Sequence, residues 1–166
     1  VESDKFDLIA MGRPEGAGCY CYANNVLKDA LGKLARNYDS VILDNEAGLE
    51  NLSRRIVAEV DLMLMVGDAT YNGLATIKRL YELAAEMQVK YKHLAVVINR
   101  TKDENLPAAA ADLSGLFGTP HILALPFDRE IRELSEAGTP IFELPAHNRS
   151  LSLMGDFLRR ILWPTK

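Results

Sequence analysis

Five short apolar runs, at 6–11, 41–43, 62–66, 93–98 and 121–125, restrict what this chain can fold into more than any other feature. None has helical spacing, and each closes on a small or polar residue, as strands buried on both faces of a parallel sheet do. Between them apolar residues recur at helical spacing: Leu27, Leu31 and Leu34, then Leu52, Ile56 and Val60, then Leu74, Ile77, Tyr81 and Ala84. A helix is predicted near 108–117 and another around Ile131 and Leu134, and a last amphipathic helix uses Leu151, Met154, Phe157, Leu158 and Ile161. Strand and helix alternate with short connections and no hairpin signal. That pattern predicts an α/β fold, a mostly parallel sheet with helices on both faces, in a single domain over 1–166.

Ligands on such sheets sit at the carboxyl ends of the strands, so the residues that close each run carry the functional reading. The strand at 41–43 stops at Asp44, and Gly48 follows four residues later. In this D-x-x-x-G arrangement, nucleotide hydrolases use the carboxylate to hold the water shell of magnesium. The glycine, lacking a Cβ, lets its N–H approach a phosphate. Asp44, Glu46 and Gly48 are the candidate catalytic residues; the alternative is a polar turn in which Asp44 or Asn45 caps the next helix. Asn99 closes the 93–98 run, followed by Arg100. Its amide can face the exocyclic amine and a ring nitrogen of adenine, or it can serve as a simple cap. Pro126, Phe127 and Asp128 close the last run, where Pro or Phe can pack on a base, while Asp128 is well placed to cap a helix that Gly138 ends.

Cys19 and Cys21 are the only cysteines, too close together to close a useful structural loop. They follow a glycine-rich loop at 12–18 and open a predicted helix, where the helix dipole favours the thiolate that binds metal. Two sulfurs do not complete a tetrahedral site, but two chains meeting about a two-fold axis supply four. Otherwise the pair are ordinary small buried residues. His93, His121 and His147 lack ligand-like spacing and are read as structural or surface residues.

A chain of 166 residues that is 48% hydrophobic and 25% charged has the composition of an ordinary globular domain. Its net charge of −4 argues against a general affinity for nucleic acid or anionic membranes. No apolar run approaches the roughly 18 to 20 residues of a membrane span. The expectation is a cytoplasmic protein with neither nucleic acid nor membrane as partner.

Taken together, Met-Gly-Arg-Pro-Glu-Gly-Ala-Gly-Cys-Tyr-Cys-Tyr at 11–22, Asp-Asn-Glu-Ala-Gly at 44–48 and Leu-Ser-Arg-Arg at 52–55 resemble the nickel-insertion ATPases that mature carbon monoxide dehydrogenase. These belong to the Min/Par/nitrogenase-iron-protein group of P-loop ATPases. Val-Gly-Asp at 66–68, Asn99-Arg100 and Leu-Pro-Phe-Asp at 125–128 are weaker matches that extend the likeness over nearly the whole chain. The resemblance implies ATP or ADP with magnesium as cofactor, Asp44 beside magnesium and the attacking water, and adenine held by Asn99 and the 126–128 segment. It also implies a homodimer, nickel or zinc shared at Cys19 and Cys21, and apo carbon monoxide dehydrogenase as client. A Min/Par-type positioning or regulatory ATPase is the first alternative; a non-catalytic dimeric binding module of the same fold is the second.

One family part is missing from this sequence. It contains no G-x-x-x-x-G-K-S/T loop, and Gly32-Lys33 is followed by Leu34 within a helical pattern. In the resembled family that loop lies upstream of everything here, on a strand between those ending at Asp44 and Asp68. The chain, which opens at Val1, is therefore expected to be the carboxyl-terminal portion of a longer ATPase, five strands with a gap in the sheet, and unable to hydrolyse ATP efficiently alone. Each backbone group left unsatisfied in a buried gap would cost about 1–3 kcal/mol.

Overall fold

The computed structural model describes residues 6–10, 31–33, 35–45 and 59–164. The chain divides into two units, Val1–Val57 and Ala58–Lys166.

In the second unit, β1 (Glu59–Asp68), β2 (Lys90–Thr101) and β3 (Ile122–Pro126) form a parallel sheet in the order β1-β2-β3. The β2 run Leu94 to Ile98 is buried without a break, as a central strand covered on both faces requires. Helix α1 (Tyr71–Glu86) returns the chain from β1 to β2. It packs Ile77 against Gly67, which is registered with Ile98. On the opposite face, α4 (Arg149–Leu162) presses Phe157 and Ile161 onto Ala95, Val97 and Leu123. Alternation along β2 thus sends Ile98 to one helix and its neighbour Val97 to another, and helices cover both faces as the pattern predicts.

The connections follow local chemistry. Thr70 caps α1, its hydroxyl accepting from Gly73 N at 3.0 Å. Asp128 caps α3 (Arg129–Ala137), and Gly138, in the left-handed region at φ 66°, ends it. The helix expected across 108–117 is two pieces, a 3₁₀ turn at Ala108–Ala110 and α2 (Leu113–Phe117). Asp112, Ser114 and Gly115 are weak helix formers that do not sustain what the alanines begin.

The first two expected strands differ from the sequence reading. Residues 41–45 adopt no regular structure, with Ile42 90% exposed and Val41 47% exposed. At 6–10 only Asp7 makes an isolated bridge. The physical reason is that an apolar run becomes a strand only where a neighbour satisfies its backbone, and three apolar residues do not by themselves supply one. In the second unit β1 has an unpaired outer edge among the described residues, and its Leu64 and Val66 are exposed.

Candidate functional site at the strand ends

The carboxyl ends of β1, β2 and β3 bring several of the candidate residues to one rim. Asp68 is registered with Asn99, Asn99 with Leu125, and Thr101 with Pro126. The register slips between Asn99 and Thr101, leaving Arg100 as a bulged residue at φ 57°, a conformation few non-glycine residues adopt. The Arg100 N–H donates to Asn99 Oδ1 at 2.9 Å, which fixes the Asn side chain against its own backbone. One lone pair of that oxygen and both amide protons are left over from this bond. Asn99 is half-buried, Arg100 exposed, Pro126 half-buried and Phe127 exposed. The Phe127 N–H donates to the Thr101 carbonyl at 3.0 Å, joining the β2 and β3 ends just where the ladder stops.

Asp68 and Asp128 are both occupied by their own chain. Asp68 Oδ1 accepts from the Thr70 hydroxyl and from Thr70 N, the latter at 3.0 Å, and these bonds, the hydroxyl's first, hold its carboxyl below the usual range. Asp128 Oδ1 accepts from Ile131 N at 3.1 Å, while Oδ2 accepts from Ser150 Oγ at 2.6 Å and Asn148 Nδ2 at 2.9 Å. Partial burial pushes the Asp128 carboxyl up, but the bonds from Ser150, Ile131 N and Asn148 together outweigh it, so its pKa is lowered. A lowered folded pKa contributes stability that is fully present above the ordinary value of 3.8 and lost as pH falls through the folded value. Asp128→Asn is therefore expected to flatten the acid limb of a melting-temperature profile below that value, while shifting the neutral-pH plateau uniformly. An unchanged acid limb would remove Asp128 from the account.

Asn99, Arg100, Pro126, Phe127 and Asp128 are thus neighbours, and the Asp128 carboxylate turns toward α3 and α4 rather than outward. Asp44 lies in the first unit, exposed and outside regular structure. Glu46, Gly48, Cys19 and Cys21 lie outside the described residues. Among the described residues no three His, Cys, Asp or Glu side chains group to hold a metal, and no helix is long and apolar enough to cross a membrane. His93 and His121 meet edge to face, ring centres 6.4 Å apart, at the opposite ends of the strands from the rim.

Sequence reasoning missed Asn148, Arg149 and Ser150. Asn148 is 3% exposed, and both ends of its amide are engaged: Oδ1 caps α4 through Leu151 N at 3.0 Å, and Nδ2 donates to Asp128 Oδ2 at 2.9 Å and to Glu130 Oε2 at 2.8 Å. Arg149 forks onto Glu104 with two bonds of 2.7 Å. The available signal was an Asn standing three residues before Leu151, which opens the apolar period continued by Met154.

No protein-family model matches the chain. It is 41% identical over 165 residues to an uncharacterised ATP-binding protein of Methanocaldococcus jannaschii, spanning 98% of this chain and 64% of that protein. A second uncharacterised ATP-binding protein of the same organism is 34% identical over 137 residues, 81% of this chain and 52% of its own length. The carbon monoxide dehydrogenase accessory protein CooC of Rhodospirillum rubrum is 28% identical over 167 residues, 97% of this chain and 62% of the relative. The chain thus spans between half and two thirds of the length of each of these three relatives. Among solved structures, the cell division ATPase MinD of Pyrococcus furiosus superposes with a TM-score of 0.63 at 20% identity, covering 83% of this chain and 57% of that one. The chain therefore has an α/β fold of the P-loop NTPase-like class, and the relatives it resembles in sequence include ATP-binding proteins.

Proposed function

We propose that this chain is the carboxyl-terminal portion of a dimeric, ATP-dependent metallochaperone that delivers nickel to carbon monoxide dehydrogenase. The observation that carries the nucleotide half is the rim of Asn99, Arg100, Pro126 and Phe127, in a chain similar to proteins that bind ATP. In this reading the Asn99 amide and the face of Phe127 receive adenine, and Arg100 lies beside it. Asp44, with Glu46 and Gly48, serves magnesium and the attacking water. The metal half is supported by the Cys19-Tyr20-Cys21 pair and by the likeness to the accessory protein over 97% of the chain. Nickel is then the cargo, held by four thiolates from two chains. The phosphate loop and its lysine would come from a segment other than the one described here.

The test is equilibrium dialysis of the full protein with nickel and with ATP. About one nickel per two chains is expected, lost in Cys19→Ser and in Cys21→Ser. Asn99→Ala is expected to weaken ATP binding about tenfold, the equivalent of one good hydrogen bond. Nickel retained by both cysteine variants would end the metal half; unchanged ATP affinity in the Asn99 variant would end the assignment of adenine to this rim. A Min/Par-type positioning ATPase is the second reading, favoured by Trp163, which stands 64% exposed beside Arg159 and Arg160 at the end of α4. Association with anionic vesicles, abolished by Trp163→Ala, would select it.

A further inference from the structure

We propose that Arg149, with Asn148 and Ser150, is a positioning residue for base recognition: the first turn of α4 clamps the two loops that carry the adenine-side residues. The proposal rests on the reading of the rim as a base site. Three consecutive residues reach the two loops that follow that rim. Arg149 holds Glu104 with Nε on Oε1 and Nη2 on Oε2, both at 2.7 Å, and Glu104 lies in the loop that leaves β2 directly after Asn99, Arg100 and Thr101. Ser150 and Asn148 hold Asp128, the residue after Phe127. Between the two loops, Thr101, 2% exposed, accepts from Phe127 N through its carbonyl and donates its hydroxyl to the Asp103 carbonyl at 2.6 Å. The loop after β2 closes further through Asn105 N on Asp103 Oδ1 at 2.8 Å.

The division of labour follows from burial. Asn148 and Ser150 are buried, so their bonds to Asp128 belong to the core of the fold. The Arg149 and Glu104 side chains are 65% and 46% exposed, and an exposed pair contributes little to stability. What the planar fork supplies is geometry, because two parallel bonds fix the direction of the loop as well as its distance. A base-reading Asn on a backbone already bulged at Arg100 discriminates only if that backbone is held, and small misplacements of a recognition group weaken it steeply.

The experiment measures the affinity of the full protein for fluorescent ATP and GTP analogues and for inorganic pyrophosphate, together with melting temperature. In R149A the preference for adenine over guanine is expected to fall about tenfold, with pyrophosphate affinity and melting temperature unchanged. The charge exchange E104R/R149E is expected to recover part of the preference that either single substitution loses. A wild-type protein that binds no adenine nucleotide overturns the base site and this proposal with it. A wild-type protein that prefers adenine, with R149A keeping the full preference, overturns the clamp alone. A loss of pyrophosphate affinity or of melting temperature equal to the loss of preference also overturns it, since a merely structural role would produce that.

Discussion

Gly73→Ala is expected to lower the unfolding free energy by about 3 kcal/mol, the upper part of the range for forcing extra atoms into a packed site. A Cβ at Gly73 would clash with Asp68 Oδ1 and stand 2.5 Å from the Asp68 carbonyl oxygen. Neither can retreat freely. The carbonyl belongs to the last residue of β1, and Oδ1 is the acceptor for Thr70 N and the Thr70 hydroxyl at the start of α1. The other side of the approach is also close, because a Cβ on Gly67 would meet Ile77 Cδ1 at 2.7 Å and the Gly73 carbonyl oxygen at 3.0 Å. Alanine at 73 must therefore lift the first turn of α1 off the strand end. Urea unfolding followed by circular dichroism measures the effect, and a midpoint equal to that of the wild type would show that α1 does not approach β1 as described.

Phe157→Ala is expected to cost about 4 kcal/mol, within the range for emptying a buried phenylalanine site. Phe157 is 4% exposed at the centre of the cluster formed by Ala95, Val97, Leu123 and Ile161. Truncation leaves a cavity under the middle of α4, and the helix carries Arg149 and Ser150, which tie down the ends of β2 and β3. Hydrogen exchange should then rise through α4 and around 102–107 and 126–130 before it rises in β1. Leu151→Ala is the control: on the same helix but 45% exposed, it is expected to change stability by less than about 1 kcal/mol. Equal losses in the two variants would mean that Phe157 is not what fixes α4 to the sheet.

What the sequence disclosed, and what it withheld, divides along local and distant chemistry. The β2 run, the period Leu74, Ile77, Ala84, and the pair of Asp128 before and Gly138 after α3 are each decided within a few residues, and they were legible. The neighbourhood of Asn99, Pro126 and Phe127 followed from one rule about parallel sheets, and the register agrees with it. The run at 41–43 was misread because three apolar residues state a preference for burial without stating a neighbour. The fork from Arg149 to Glu104 spans 45 positions, and nothing near either residue announces the other. The Asp128 carboxylate shows a third kind of ambiguity: its capping role was visible, but a residue that caps one helix can also tether the next, and only the fold shows that Oδ2 does so.

The ten-residue β1, bordered on one side only among the described residues and showing Leu64 and Val66 to solvent, has a consequence for how the second unit behaves when it is handled. Open ladders recruit whatever extended backbone is at hand, and this one offers grease along with its hydrogen bonds. Concentrated samples of Ala58–Lys166 by itself would be drawn toward sticking to one another, strand against strand, at a rate set by how well that border is shielded.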